Sequence, residues 1–200
     1  MLTYKVFVQG DEELLQAWRK GSRAAGDELI ARHFDALHRF FDGKLAESAE
    51  DLVQRTLLDC VESRAAVRDG NFRAYLFGIA RHRLIDHLRG KLRGGNVLDI
   101  DQLSLADLAT SPSQALARNQ DEQLLHAALR RLSIDQQVAL ELTYWEGLSG
   151  REVAEVLGVD PSTVRSRLLR AREALRHHLA ELGAGADTIE RTLSQLGDGR

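Results

Sequence analysis

The sequence predicts an all-α protein built from two small helical domains that are joined by a flexible acidic linker. Only two prolines, Pro112 and Pro161, occur among 200 residues, while leucine, alanine, arginine and glutamate are abundant. That balance favours helices over a turn-rich β-sandwich. Apolar residues make up 44% and charged residues 28% of the chain, which is the composition of a folded globular protein and not of a disordered one.

Charge is distributed unevenly along the chain. Residues 72–93 hold six basic side chains and one acidic one, and residues 161–178 hold five basic and one acidic. Residues 94–114 hold three aspartates and no basic residue. The formal net charge of −3 therefore hides two basic patches separated by an acidic segment.

The acidic segment also interrupts the helical pattern, through Gly94-Gly95-Asn96 at its start and Ser111-Pro112-Ser113 near its end. Such a long connection is better explained as a linker than as a loop inside one domain. The tail beyond Gly183 carries one short amphipathic set, Ile189, Leu193 and Leu196. The predicted organisation is a domain at 11–93, a linker at 94–120, a second domain at 121–182 and a C-terminal tail at 183–200.

Several classes of function are excluded by what the sequence lacks. A single cysteine, Cys60, can form neither an internal disulfide nor a thiolate zinc cluster. The pairs His33/His38 and His82/His87 are five residues apart, a spacing that points the rings in different directions on a helix, so we expect no metal and no cofactor. No nucleotide-binding or hydrolase motif occurs, and no apolar run or signal peptide is evident. We expect a cytoplasmic protein that is not an enzyme and does not insert into a membrane.

A helix-turn-helix is predicted in the C-terminal half. Ser149 and Glu152 have the capping-box spacing that begins a helix. Gly158 can end that helix with a positive φ, and Asp160-Pro161 offers an N-cap and a first-turn proline for the next one. Two helices joined by so tight a turn, the second strongly basic, match the motif whose second helix enters the DNA major groove.

The second helix of this motif has two distinct faces. Val164, Leu168, Ala171 and Leu175 share one stripe, which we expect to face the core. The opposite side carries arginines and serines suited to phosphates and base edges, together with a leucine. The alternative is a face that only maintains solubility, but such a face would usually mix lysine with glutamate.

Two segments resemble the extracytoplasmic-function sigma factors of bacterial RNA polymerase. Residues 129–176, and especially TVRSRLLRAR at 163–172, resemble region 4 of that family. AEDLVQRTLL at 49–58 and FRAYLFGIARHRLIDHLR at 72–89 resemble region 2, in the family's order and spacing. A dimeric helix-turn-helix regulator, the alternative, would leave the region 2 segments unexplained.

The resemblance implies an alternative sigma factor with no active site of its own, which directs core polymerase to promoters. Its implied partners are the β′ clamp helices and β flap of the polymerase, promoter DNA and an anti-sigma factor. Asp51, Leu52 and Gln54 would bind the clamp helices, although Ser48 and Asp51 also have the spacing of a capping box. The acidic linker is either an ordinary solvated connection or a mimic of nucleic acid in the RNA exit path.

By the same resemblance, region 2 opens the minus-10 element and region 4 reads the minus-35 element. The minus-10 candidates are Asn71, Arg81, His82, Arg83, Asp86 and Arg89, together with the loop that starts at Arg68. The minus-35 candidates are Ser162, Arg165, Ser166, Arg167, Leu169 and Arg170. Phe72 is expected in the core, whereas Tyr75 and Phe77 could pack inside or stack on bases. The family commonly has Asn at the position of His82 and Trp at that of Tyr75, which leaves the base preference open.

Overall fold

The computed structural model describes residues 10–67, 71–91, 103–107 and 120–196, and every regular element in these ranges is helical. The all-α prediction is therefore confirmed. Two short 3-10 turns, Ala46–Ser48 and Arg64–Ala66, flank α3. The helices are α1 (Asp11–Arg19), α2 (Arg23–Leu45), α3 (Ala49–Glu62), α4 (Phe72–Lys91), α5 (Gln120–Leu129), α6 (Ile134–Tyr144), α7 (Gly150–Leu157), α8 (Pro161–Glu181) and α9 (Ala186–Gln195).

Helices α1 to α4 form the first group. Ser22 caps α2 by accepting a hydrogen bond from the backbone N–H of Ala25, which satisfies one of the unpaired donors at the helix start. Gly26 then lets α2 approach α1 closely, because a Cβ at this position would lie 2.4 Å from the indole nitrogen of Trp18. Phe72 is buried, as expected from its position on the apolar stripe of α4.

The predicted helix-turn-helix is present as α7 and α8. Ser149 and Glu152 form the capping box at the start of α7, and Gly158 ends that helix with φ +67°. Pro161 occupies the first turn of α8, but the side chain of Asp160 makes no capping hydrogen bond. The capping box expected at the start of α3 is likewise absent: Ser48 makes no side-chain cap.

Helices α5 to α9 form the second group, which packs against the first. Helix α4 of the first group lies on α7 of the second, and one continuous cluster of buried side chains includes Phe77 from α4 and Val153 from α7. A second cluster joins α5, α6, α8 and α9, to which α9 contributes Ile189, Leu193 and Leu196. The division of the chain into domains at the boundaries predicted above stays a prediction.

Part of the predicted linker is docked on the second group and not extended. The backbone N–H of Ile134 donates to the carbonyl of Leu103 at 3.0 Å, and that of Ala106 donates to the carbonyl of Arg130 at 3.0 Å. Leu105 is fully buried and belongs to the cluster that also contains Phe77 and Val153, so its apolar side chain anchors this turn in the core. Residues 92–102 and 108–119, which make up most of the predicted linker, lie outside the described residues. Within the described ranges, no helix is both long enough and apolar enough to span a bilayer.

Candidate nucleic-acid and partner interfaces

A cleft of about 690 Å³ lies between α4 and α7 and contains most of the minus-10 candidates. His82 and Asp86 are exposed at the cleft. On the opposite wall, Glu155 of α7 accepts a hydrogen bond from the side-chain amide of Asn71. Arg89 does not line this cleft. Its side chain is exposed, and its Nη1 lies 3.7 Å from Oδ1 of Asp86. The rest of the candidate loop, residues 68–70, lies outside the described residues.

Two of the predicted DNA-contacting arginines are bound by one buried carboxylate. Asp135, at the start of α6, has a side chain that is only 4% exposed. One oxygen accepts hydrogen bonds from Nε and Nη2 of Arg81 at 2.9 and 2.7 Å. The other accepts from Nη1 of Arg167 at 2.6 Å. We call this set of three residues the Asp135 junction.

In this arrangement the side chains of Arg81 and Arg167 point into the molecule, and their contacts with DNA stay predictions. Their exposed fractions are 13% and 14%. Hydrogen bonds from two guanidinium groups satisfy both oxygens of the carboxylate, which lowers the cost of burying its charge. A helical wheel could not reveal this, since it gives only the direction of Arg167 on α8 and not its neighbour on α6.

Arg83 is also engaged within the chain. Its Nη2 donates to Oδ1 of Asp59 at 2.6 Å, and its Nε donates to the second oxygen of the same carboxylate. The pair joins α3 to α4 at the edge of the cleft and remains partly exposed. Arg83 can therefore position α4 against α3, and it can reach a phosphate only if it leaves Asp59.

The two aromatic residues that the sequence left open have different environments. Phe77 is fully buried and packs its ring 5.6 Å from that of Phe40. Tyr75 is half-buried, and its hydroxyl donates to Oγ of Ser63 at 2.6 Å. Tyr75 also lines the cleft, so of these two rings it is the one within reach of a ligand there.

The outer face of α8 is exposed as predicted. Leu169 is 71% exposed, which is unusual for a large apolar side chain. Nε of Arg170 donates to the carbonyl of Ser166 at 3.3 Å, which orients the guanidinium along the helix. A groove of about 590 Å³ runs beside this face. The exposed minus-35 candidates are Ser162, Arg165, Ser166, Leu169 and Arg170.

The polymerase-binding candidates on α3 divide between surface and core. Asp51 and Gln54 are exposed, and Asp51 pairs with Arg55 one turn later at 3.0 Å. Leu52 is only 2% exposed and faces the core, because it lies about 100° around the helix from Asp51. That it contacts a partner stays a prediction.

Sequence reasoning missed two apolar residues on the same exposed side of α3. Leu58 is 61% exposed and Val61 is 37% exposed. Leu58 follows Asp51 by seven residues, which is two helical turns, so it continues the face that Asp51 and Gln54 begin. The helical spacing was the available signal, but apolar residues at these positions could equally have belonged to a core.

A second buried ion pair joins the two groups of helices. Lys44 of α2 is fully buried, and its ammonium donates to Glu141 of α6 and to the carbonyl of Phe40, the latter at 2.8 Å. The ammonium also lies 3.9 Å from the centroid of the Phe40 ring. Burial lowers the pKa of Lys44 below its ordinary value, and the neighbouring Glu141 carboxylate opposes that shift.

Comparison with known proteins assigns both groups of helices to one family. The model for Sigma-70 region 2 matches residues 29–94, and that for Sigma-70, region 4 matches residues 122–175. ECF RNA polymerase sigma factor SigM of Mycobacterium tuberculosis is 30% identical over 90% of this chain and 89% of its own length. SigL of the same species is 33% identical over 86% of this chain and 88% of its own.

Two solved structures have a similar fold. The structure of CnrH in complex with the cytosolic domain of CnrY matches with a TM-score of 0.63 and 26% identity, over 86% of this chain and 97% of that one. The sigma factor RpoE of Bartonella quintana, in a co-crystal structure with the anti-sigma factor NepR, matches with a TM-score of 0.60 and 28% identity. That match covers 77% of this chain and 96% of the other.

Proposed function

This chain belongs to the extracytoplasmic-function sigma factors of bacterial RNA polymerase, and from that premise we propose which of its surfaces bind polymerase and DNA. The family directs the core enzyme to specific promoters. The observation that carries the proposal is the joint presence of regions 2 and 4 in one chain, because a helix-turn-helix alone would fit many regulators.

The outer face of α8 is the proposed reader of the minus-35 element. An α-helix fits the major groove, and arginine can form a bidentate contact with guanine. The exposed leucine can pack against a thymine methyl group. Arg167 is not part of this surface while it is bound to Asp135. The proposed contacts are Ser162, Arg165, Ser166, Leu169 and Arg170.

The cleft beside α4 is the proposed site for the minus-10 strand. The cleft is lined by two arginines, which can attract phosphates, by a tyrosine, which can stack on a base, and by three carboxylates, which repel phosphates. Tyr75 supplies the aromatic ring and His82 an exposed hydrogen-bonding group. The proposed contacts are Asn71, Arg81, His82, Arg83, Asp86 and Arg89, with the two arginines Arg81 and Arg83 available only after their carboxylate partners are released.

The exposed face of α3 is the proposed binding surface for the β′ clamp helices. Asp51 and Gln54 provide polar contacts, while Leu58 and Val61 add apolar area that water otherwise covers. An apolar centre with a polar margin is the usual anatomy of a protein interface. The β flap of the polymerase would bind region 4.

We further propose that the chain has no catalytic activity of its own, acts in the cytoplasm where the polymerase is, and is controlled by an anti-sigma factor. CnrH and RpoE, to which it is similar, were both solved in complexes, with CnrY and with the anti-sigma factor NepR. Co-purification of this chain with a candidate inhibitor, followed by loss of transcription when that inhibitor is added, would test the last point.

Run-off transcription with purified core enzyme tests the function itself. On a library of promoter sequences, the chain should select a defined set that core enzyme alone does not transcribe. Arg170→Ala should lower transcription and also flatten the preference at one or two minus-35 positions, since a bidentate arginine contact is worth about 1 to 3 kcal/mol of discrimination. Arg176→Ala, which changes an exposed arginine six residues further along α8, should weaken all promoters alike.

If Arg170→Ala lowers every promoter by the same factor, α8 contacts only phosphates and the sequence is read elsewhere. Failure of the unmodified chain to support any transcription would refute the proposed function as a whole.

Polymerase binding is tested by Asp51→Arg in a fluorescence titration with core enzyme. The variant should bind the core more weakly, while its thermal stability changes little because the pair with Arg55 is exposed on both sides. Asp35→Arg makes the same change of charge at an exposed position of α2 and serves as the control. Equal effects of the two variants would show that only net charge matters and that α3 is not the binding surface.

A further inference from the structure

Helix α9 is attached to two other helices of the second group. It lies beyond residue 175, where the match to region 4 ends. Its apolar face is buried on α8 in the second cluster, through side chains that include Ile189 and Leu193. At the polar margin of α9, Arg191 donates a hydrogen bond to Asp121 in the first turn of α5. These contacts fix the position of α9 relative to α8.

Arg172 of α8 is bound by the end of α9. Its Nη2 donates to the main-chain carbonyl of Leu193 at 3.3 Å. Leu193 lies in the last turn of α9, where a helix leaves carbonyl groups without a partner and where its dipole is negative. A cation is favoured at this place for both reasons. Because a guanidinium has five N–H donors, the bond to Leu193 leaves the group able to bind a second acceptor.

Arg172 lies at the margin of the proposed minus-35 face. It lines the same groove as Arg165, Ser166 and Leu169. It follows Arg165 by two helical turns, and it lies only about 40° around α8 from Leu168, which packs against the core. Arg172 is accordingly half-buried, whereas Arg165 is exposed. The guanidinium of Arg172 is therefore held at the side of α8 and not at the centre of its outer face.

This location suits a phosphate better than a base. A helix that enters the major groove meets base edges with the centre of its outer face, while side chains at its margins meet the sugar-phosphate strands that border the groove. Arginine can bind a phosphate through two parallel hydrogen bonds. A side chain whose rotamers are already restricted in the free chain loses less entropy when it binds, so the contact with α9 should strengthen such a phosphate contact.

We infer that Arg172 is a further DNA-binding residue of α8, which contacts a phosphate beside the minus-35 element, and that α9 positions its guanidinium for this contact. The inference rests on the proposed function, since it concerns the helix that is proposed to read the minus-35 element. It adds a contact that carries no sequence information. It also gives the C-terminal helix, which lies outside the matched region 4, a role in promoter binding.

The contact is tested by Arg172→Ala in the reconstituted holoenzyme. Fluorescence anisotropy measures binding to labelled promoter duplexes between 50 and 200 mM KCl, for promoters that the unmodified chain transcribes. The variant should weaken all of them alike, by about tenfold at the lower salt and about threefold at the higher, because loss of one phosphate contact lowers the slope of log K against log [KCl] by about 0.9. Arg131→Ala is the control: it removes the same charge at an exposed residue that pairs with Glu181, and it should change neither the affinity nor the slope.

The positioning role is tested by a chain that ends at Gly183 and so lacks α9. Its holoenzyme should bind promoters about threefold more weakly, the order expected when one arginine side chain must be immobilised on binding. The same truncation combined with Arg172→Ala should cause no loss beyond that of Arg172→Ala alone. If the truncated chain loses more helical circular dichroism than the missing residues account for, Leu196→Ala replaces it, because this side chain is buried at the end of α9.

Each part of the inference can be overturned by its own result. Unchanged affinity and salt slope in Arg172→Ala would show that Arg172 does not contact DNA, and a loss confined to promoters with particular minus-35 bases would show that it reads sequence. If removal of α9 weakens binding by the same factor with and without Arg172, α9 only supports the fold. Failure of the proposed function is visible separately, since the unmodified chain would then transcribe no promoter.

Discussion

Loss of the Glu141 carboxylate should leave the buried ammonium of Lys44 without its charged partner. In Glu141→Gln, the fully buried ammonium would keep the carbonyl of Phe40, the face of its ring and at most the neutral amide oxygen of the new glutamine as partners. Breaking a buried ion pair by removing one partner costs about 3–5 kcal/mol, because a charge then stays buried without compensation. The free energy of unfolding should fall by up to this amount.

The same structure limits how large the loss can be. Lys44 and Glu141 belong to different helical groups, so separation of α6 from α2 would return the ammonium to water. The measured loss of unfolding free energy therefore cannot exceed the free energy that is needed to separate the two helical groups. The double variant Lys44→Met/Glu141→Leu removes both charges at similar volume, and it should recover most of the loss or even exceed the original stability.

Urea unfolding followed by circular dichroism gives the free energy of unfolding of Glu141→Gln and of the double variant. The pH dependence of that free energy provides a second measurement. A base whose pKa is lowered on folding binds fewer protons in the folded chain than in the unfolded one, so stability rises with pH between the lowered value and the ordinary 10.5. Glu141 opposes the lowering, so Glu141→Gln should extend this rise to lower pH, and the double variant should abolish it. If Glu141→Gln and the double variant are equally stable at pH 7, the reasoning about the buried charge is wrong.

Three further predictions concern single positions. Gly26→Ala should destabilise the chain by roughly 1–3 kcal/mol, because the new Cβ would clash with Trp18. Gly43→Ala on the same helix, where a Cβ meets nothing within 4 Å, should stabilise it by up to about 1 kcal/mol. Thermal melts that rank the two variants the other way would contradict the packing argument. Burial raises the pKa of the Cys60 thiol to about 12. At pH 8 this thiol should therefore react with iodoacetamide on the order of 10³ times more slowly than an ordinary thiol. Fast labelling of the folded chain would show that the thiol is accessible and contradict this prediction. Leu58→Asp should weaken core binding by about tenfold or more, roughly 1.4 kcal/mol, with little change in melting temperature because the side chain is 61% exposed; unchanged core binding would remove Leu58 from the interface.

Local signals predicted the helix-turn-helix well, because the interactions that form it are local. The hydrogen bonds between Ser149 and Glu152 span three residues, and the positive φ of Gly158 depends on its own missing side chain. The same logic failed at Ser48, where the helix begins directly after a 3-10 turn and the serine hydroxyl does not cap it. A capping pattern in the sequence shows that a side chain could accept a hydrogen bond from the first turn of a helix. Whether it does depends on the conformation of the backbone that precedes the helix.

The proposed site was predictable to the extent that it depends on helical faces. The wheel of α8 correctly placed Val164 inside and Leu169 outside. It could not foresee that Arg167 turns toward Asp135, because that partner is 32 residues away in the chain. Leu52 was assigned to a partner by resemblance to a whole segment, and only its 2% exposure shows that it belongs to the core.

The sequence by itself determined the helices, the alternation of basic and acidic segments and the family, since each of these depends on composition, on spacing within a few turns or on an ordered pair of motifs. The tertiary structure alone decided which charges are available to a ligand. Arg81 is 54 residues from Asp135 and Lys44 is 97 residues from Glu141, and pairs so distant are formed only when the two helical groups pack. Because these pairs are buried away from water, breaking one would leave a charge without a partner, so the fold decides which charged side chains are available to a ligand.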